Sequence, residues 1–296
     1  MKILLFGKNG QVGWELQRSL APLGRVIALD RFSQEYCGDI TDTEGITQII
    51  RAITPDVIVN AVAYTAVDKA ESEPALARQI NAEATAVLAL EAKRAGAWLI
   101  HYSTDYVFDG GGSRPWLETD DPGPLNVYGQ TKLEGEEAIR DAGCLYLIFR
   151  TSWVYAARGN NFIKSILRLA NERDQLTVNQ IGAPTGADYL ADTTAHAMMM
   201  AINRPELSGL YHLVAEGEIS WHGYASFIIN FAQAQGIDLR LKTNAIVPVP
   251  TSNFKTPAKR PCNSRLSTDK FQKTFHLNVP QWQIGVSRVL TEILER

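Results

Sequence analysis

A tyrosine and a lysine stand four residues apart in Tyr128-Gly129-Gln130-Thr131-Lys132, the spacing that puts both on one face of a helix. A phenol with its ordinary pKa of about 10 is a poor acid or base near neutrality. An ammonium about 4 Å away, at an effective dielectric of roughly 20, favours the phenolate by up to about 4 kcal/mol. That energy corresponds to roughly three pH units. A tyrosine assisted in this way can give or take a proton while a carbonyl and an alcohol interconvert. The pair alone is a weak signal, because tyrosines and lysines are common on solvated helix faces. Its weight depends on the elements that position it.

Those elements alternate between short apolar runs and helical stretches. Lys2–Phe6 is continuous and apolar, the pattern of a buried parallel strand. It enters Gly7-Lys8-Asn9-Gly10-Gln11-Val12-Gly13 and then a helix to Leu20. In a strand, glycine turn and helix of this kind the backbone approaches a pyrophosphate at the helix N-terminus. Gly7, Gly10, Gln11, Val12 and Gly13 are the candidate contacts. A ligand-free glycine turn is the bland alternative, and the flanking strand and helix favour a dinucleotide. The second strand, Arg25–Asp30, ends in a carboxylate where an acid binds the adenosine ribose hydroxyls. Asp30 favours NADH, whereas Arg31 could meet the 2′-phosphate of NADPH, so either cofactor fits. Asp39, beside Ile40, faces the adenine or serves the local structure, and spacing does not separate the two. Asp42 or Thr41 caps the next helix.

The third strand, Asp56–Tyr64, ends in small residues. Ala61 and Ala63 leave room for a flat cofactor beside Tyr64, although tight packing has the same signature. Pro74–Ala95 reads as one long helix closed by Gly96. The fourth strand, Trp98–Asp105, brings Thr104 to the carboxyl edge, where its hydroxyl can meet a substrate carbonyl. His101, in mid-strand, reads as a satisfied core residue. Residues 110–124 hold four glycines and three prolines, a turn-rich loop placed to act as a lid. The helix with Tyr128 and Lys132 runs from Val127 to Ala142 and stops at Gly143. Cys144–Arg150 is a fifth strand leading to Trp153 at the same edge. After Gly159 the pattern loosens. Lys259, Arg260 and Arg265 supply local positive charge for an acidic ligand, or form a solvated basic loop.

Composition sets outer bounds. The chain has 296 residues, 45% apolar and 21% charged, with a formal net charge of -3. This suits a globular enzyme and gives no electrostatic reason to expect nucleic acid or an anionic membrane. The three cysteines, Cys37, Cys144 and Cys262, are scattered, which fits a reducing cytoplasm. The N-terminus reads as a strand and not as a signal peptide, and no apolar run reaches the ~20 residues of a membrane span.

Taken together, Gly7-x-x-Gly10-x-x-Gly13, Thr104 and Tyr128-x-x-x-Lys132 resemble the extended short-chain dehydrogenase/reductase family. Asn60–Glu71, Ser103–Gly110, Arg150–Tyr155 and Arg260–Leu266 resemble, more specifically, its members that act on nucleotide-linked keto sugars. The likeness covers essentially the full chain. Ala156 departs from it, where a glycine is usual. The resemblance implies an α/β fold, a Rossmann-type doubly wound parallel sheet built mainly from residues 1–155, with later segments returning to it. A smaller C-terminal α/β substrate-binding domain comes mainly from 156–296. It implies NADH or NADPH as cofactor and reduction at C4 of a dTDP-4-keto-6-deoxy sugar. Tyr128 then protonates the developing alkoxide, Thr104 hydrogen-bonds the carbonyl, and Lys132 lowers the tyrosine pKa and holds the nicotinamide ribose. Asp105 and Trp153 line the sugar, with Arg260, Asn263 and Arg265 towards the nucleotide. A homodimer and magnesium are further implications. Glu15, Glu292 and Glu295 are the candidate metal ligands, and a solvated acidic face explains each more simply. An epimerase or dehydratase on the same scaffold is an alternative, against which Tyr106, not a second acid, follows Asp105. A non-catalytic regulatory subunit is another, opposed by the intact Thr104, Tyr128 and Lys132.

Overall fold

The computed structural model describes residues 1–172, 176–178, 181–241, 246–248 and 256–295. Six strands form the central sheet: β1 (Lys2–Phe6), β2 (Arg25–Leu29), β3 (Val57–Asn60), β4 (Trp98–Thr104), β5 (Leu145–Thr151) and β6 (Gly209–His212). Their order is β6-β5-β4-β3-β1-β2, and every pairing is parallel. The chain crosses from β1 to one neighbour, β2, and later returns to the other, β3. A crevice for a ligand opens at that reversal, beyond the strands' carboxyl ends.

The longer helices among the described residues are α1 (Gln11–Leu20), α2 (Thr43–Ile53), α3 (Ala84–Ala95), α4 (Val127–Ala142), α5 (Phe162–Glu172), α6 (Ala187–Ala201), α7 (Trp221–Ala234) and α8 (Trp282–Leu294). Alternation along the strands decides which helices cover which face. Ile3, Leu5, Val57, Val59 and Ile100 pack with residues of α1 and α6. Leu4, Phe6, Ile58, Leu99 and Ile148 pack with residues of α2, α3 and α4. Because β6 and α6 come from beyond residue 155, the sheet is completed by late segments of the chain. A separate core, including Ile166, Tyr224, Ile228 and Val286, joins α5, α7 and α8.

Two local features set the catalytic side of the sheet. The long helix expected over Pro74–Ala95 is interrupted by a π-helical turn at Gln79–Glu83. In that widened turn the buried Asn81 accepts from the Tyr64 backbone N–H at 2.8 Å and donates to Thr131 Oγ1 at 3.1 Å. It thereby ties the exit of β3 to α4. Farther along α4, Glu136 meets Arg150 of β5 through two hydrogen bonds, 2.9 and 2.6 Å, with both side chains buried. A buried charge left alone costs far more than the intact pair contributes. Glu136→Gln is therefore expected to lower the free energy of unfolding by about 3 kcal/mol in urea titrations, and a loss under about 1 kcal/mol would show that Arg150 finds another partner.

Candidate active site

The glycine turn forms a cradle against the end of β3. Gly7 has φ +93°, and a Cβ there would lie 2.8 Å from the Ala61 carbonyl oxygen. A Cβ on Gly13 would lie 2.0 Å from the Gly7 oxygen, so α1 can pack this close to the turn only with glycine at that position. The cradle opens into a cleft of about 670 Å³. Gly7, Gly10, Asp30, Arg31, Asp39, Ile40, Ala63 and Tyr64 all line it. Four expected contacts stand back from that lining. Val12 and Ala61 pack against the core, Gly13 is buried, and Gln11 accepts a hydrogen bond from Asn161 at 2.9 Å.

The acid at the end of β2 is already engaged. Asp30 accepts from Asn9 Nδ2, from Ser33 Oγ at 3.0 Å and from the Phe32 N–H at 3.1 Å. Lys8 Nζ lies 3.8 Å from it. Burial is the largest single influence on Asp30 and raises its pKa, but the contacts with Ser33, the Phe32 N–H, Lys8 and Asn9 together outweigh it and hold the carboxyl below its usual range. Asp39 accepts from the Thr41 N–H and hydroxyl, which gives it a structural duty while it lines the cleft. The Tyr64 hydroxyl donates to Glu73 at 2.6 Å.

Across the mouth of the sheet, Thr104 and Tyr128 come together. Thr104 is the last residue of β4; its Oγ1 donates to Asp105 Oδ1 at 3.1 Å and accepts from the Tyr106 N–H at 3.1 Å. Asn126 caps α4, its Oδ1 accepting from the Gly129 N–H at 2.8 Å. A Cβ on Gly129 would lie 2.1 Å from the Tyr106 carbonyl oxygen. This glycine lets the first turn of α4 sit directly on the turn after β4, and the Thr104 hydroxyl reaches the Tyr128 phenol. Burial raises the phenol's pKa strongly; the Thr104 hydroxyl opposes the shift, and the Asp105 and Tyr106 charges add to it.

Lys132 does not act on the phenol as expected. It is buried, and its Nζ lies 2.9 Å from His101 Nε2 and 2.6 Å from the Tyr102 carbonyl oxygen. Burial brings its pKa down to about 7, with Glu136 pulling the other way. The expected lowering of the Tyr128 pKa is absent in the ligand-free protein, because desolvation governs both groups and the lysine is turned towards the sheet. His101, read from the sequence as core, is therefore part of the site. Strand parity could have found it: His101 pairs in register with Asn60 of β3 and shares a face with Leu99.

The other nominated residues are mostly engaged in architecture. Asp105 is buried beside the Thr104 and Ser264 hydroxyls, and burial pushes its pKa up to about 6. Trp153 holds a positive φ of 51° and stacks on Trp221, ring centres 4.0 Å apart. Arg260 pairs with Asp68 at 2.7 Å. The buried Asn263 donates to the carbonyls of Gly111 and Arg114, at 3.1 and 2.9 Å, and accepts from Arg265 Nε at 2.8 Å. Arg265 also meets Glu218 at 3.1 Å. The loop expected as a lid is pinned in its middle, with Trp116 exchanging backbone hydrogen bonds of 2.9 Å with Arg265 and Ser267. The structure gives the metal expectation no support. Among the described residues no three His, Cys, Asp or Glu side chains gather to hold an ion. Glu15 lies 3.5 Å from Arg18, while Glu292 and Glu295 are exposed on or just after α8.

A parallel sheet with a glycine cradle at its reversal, and a threonine, tyrosine and lysine at its carboxyl edge, defines the short-chain dehydrogenase/reductase class. The family described as "RmlD substrate binding domain" matches residues 1–295, and the chain belongs to it. It is 59% identical over 295 residues to the dTDP-4-dehydrorhamnose reductase of Shigella flexneri, covering 99% of this chain and 98% of that protein. Crystal structures are similar too. A dTDP-4-dehydrorhamnose reductase from Clostridium acetobutylicum superposes with a TM-score of 0.89 at 34% identity, with both chains fully covered. One from Bacillus anthracis, in complex with NADP, gives 0.87 at 33% identity, covering 98% of this chain and 99% of that one.

The buried Asp105 leaves a pH signature. Its pKa of about 6 exceeds the 3.8 of an ordinary aspartate, so between those values the folded protein keeps a proton that the unfolded chain releases. Its contribution to stability is then lost as pH rises through that window, by at most about 3 kcal/mol. Asp105→Asn removes the ionisation. Its stability relative to the wild type, measured by urea unfolding, is expected to improve by about 2 kcal/mol between about pH 4 and about pH 7, and a pH-independent difference would refute the assignment.

Proposed function

We propose that this protein reduces the C4 ketone of dTDP-4-dehydro-L-rhamnose to dTDP-L-rhamnose with NADH or NADPH. The observation that carries the reading is the seating of the first turn of α4, with Tyr128, on the turn just after Thr104, which brings the phenol within the influence of the Thr104 hydroxyl. The full-length similarity to reductases of that sugar supports it. So do Asp105 Oδ2 and Ser264 Oγ, buried polar atoms without a hydrogen bond of good geometry, the kind of group that a sugar hydroxyl satisfies.

A reduced nicotinamide, when bound, supplies the hydride. The chain supplies the rest. The glycine turn and the amides of α1 receive the pyrophosphate, and Ala63 and Tyr64 leave a flat wall. Thr104 donates a hydrogen bond to the substrate carbonyl and polarises it. Tyr128, its pKa raised by desolvation, gives its proton to the oxygen as negative charge develops there. Lys132 then stabilises the phenolate left behind. The same reading carries with it a homodimer working in the cytoplasm. Among the described residues, no helix is long and apolar enough to cross a membrane.

The cofactor cleft favours neither form outright. Asp30 must exchange an existing contact to bind ribose hydroxyls, while Lys8 and Arg31 stand nearby for a 2′-phosphate. Loss of reduced-cofactor absorbance with dTDP-4-dehydro-L-rhamnose is expected with both NADH and NADPH, and its absence with both would reject the activity. Tyr128→Phe should lower kcat by about 10²–10⁴-fold; unchanged turnover would remove the tyrosine from the chemistry. Arg31→Ala should raise the KM for NADPH about tenfold, near 1.4 kcal/mol, with little effect on NADH. Equal effects on the two cofactors would show that Arg31 does not read the 2′-phosphate.

A further inference from the structure

Behind the catalytic face lies a closed line of polar side chains: Lys132, His101, Asn60 and Thr85, all buried. His101 Nε2 is 2.9 Å from Lys132 Nζ, and its Nδ1 is 3.2 Å from Asn60 Nδ2. The proton on the ring can be placed by counting donors and acceptors. Asn60 Oδ1 accepts from the Val62 N–H at 3.1 Å. Turning the amide over would set its NH₂ against that N–H, donor against donor. In the observed orientation Nδ2 has Thr85 Oγ1 at 3.4 Å on one side. That hydroxyl spends its own hydrogen on the Asn81 carbonyl at 2.9 Å, so it is free to accept. On the other side Nδ2 donates to His101 Nδ1, which must therefore carry a lone pair. A neutral imidazole with a bare Nδ1 has its hydrogen on Nε2. That N–H points at Lys132. An ammonium has three donors and no acceptor, so a charged lysine would place two donors face to face at 2.9 Å. A neutral amine resolves the conflict: its lone pair accepts from His101 while it donates to the Tyr102 carbonyl.

We propose that Asn60 locks His101 in its Nε2–H form, and that His101 is a positioning residue that holds Lys132 as an uncharged amine in the ligand-free site. The environment acts in the same direction, with burial bringing the lysine pKa to about 7 and the histidine pKa well below its usual value. The charged and titratable groups around the lysine leave this balance in place. Glu136, on the same helix, favours the ammonium, but its carboxylate is held by Arg150 of β5. Tyr128, also on α4, is a protonated phenol, and Asn60, Asn81 and Thr85 bear no charge. The catalytic consequence rests on the reductase reading. When ligands draw Lys132 away from His101, the amine takes one proton from water, and the ammonium then faces the phenolate that remains after Tyr128 protonates the sugar oxygen.

The test is nitrogen-15 NMR of the ligand-free protein labelled on histidine and lysine, with the His101 signals identified by their loss in His101→Gln. The expected result is a His101 ring that stays neutral with its proton on Nε2 from about pH 6 to about pH 9, together with a Lys132 amine that titrates near neutrality. Asn60→Asp places an acceptor against Nδ1, so the ring proton should move there and Nε2 become an acceptor for an ammonium. The Lys132 midpoint should then rise by about one pH unit or more. A proton on Nδ1 in the wild type, a Lys132 charged up to about pH 9, or an unmoved midpoint in folded Asn60→Asp would each overturn the proposal. If Asn60→Asp does not fold, the wild-type spectra decide alone. No cofactor or sugar is present in these spectra, so a failed reductase assay and a failed tautomer assignment are separate results.

Discussion

The first turn of α4 rests against the Tyr106 carbonyl oxygen, a closeness that residue 129 permits by having no side chain. Much of the chemistry depends on this one approach. It brings the Tyr128 phenol to the Thr104 hydroxyl, and one helical turn later it lowers Lys132 onto His101 and the Tyr102 carbonyl. The cap at Asn126 and the ion pair between Glu136 and Arg150 hold the two ends of the same stretch, so the helix is fixed in both position and rotation about its axis. Side chains placed this way need little rearrangement when a transition state develops, which is the condition under which fixed dipoles and donors are most effective.

Desolvation, complete for Lys132 and Asp105 and partial for the half-buried Tyr128, changes the acidity of these groups before any ligand arrives. A surface tyrosine and lysine at this spacing would meet in water as a mild acid and a full cation. Here desolvation makes the phenol a weaker acid, the lysine a weaker base and Asp105 a reluctant carboxylate. Each of these shifts favours the neutral form of its group. A proton donor for an alkoxide benefits from this, because it must hold its hydrogen until the oxygen becomes basic.

How much of this could be read from the chain follows from the range of the interactions. The strands were legible because parallel strands are buried on both faces and so are continuously apolar. The glycine cradle, Thr104 at a strand end and the Tyr128–Lys132 helix are local patterns, and the structure places them where those patterns imply. The π-helical turn at Gln79–Glu83 was not legible, since no propensity separates it from an ordinary turn; it exists because Asn81 is satisfied by residues far along the chain. His101 was missed for a similar reason. Its parity with Leu99 is readable along the strand, but its register with Asn60 and its contact with Lys132 are not. The Tyr128 pKa is raised and not lowered, because the spacing puts both groups on one helix face but does not show that Lys132 is turned to His101 and Tyr102 and that desolvation dominates at the phenol.

The cap of α4 is held from far along the chain. Asn126 Nδ2 donates to the carbonyl of Lys259, 133 residues away, and Trp116 is strapped to Arg265 and Ser267. β6, which pairs with β5, also comes late. During synthesis the chain therefore emerges with its cradle and most of its sheet long before the tyrosine-bearing helix can be secured. Contacts of such long sequence separation close slowly, and domains fold from the N-terminal side as they leave the ribosome. A cofactor cleft and the ion pair that anchors α4 thus belong to the chain up to Arg150, while the cap of that helix waits on a carbonyl from its last stretch.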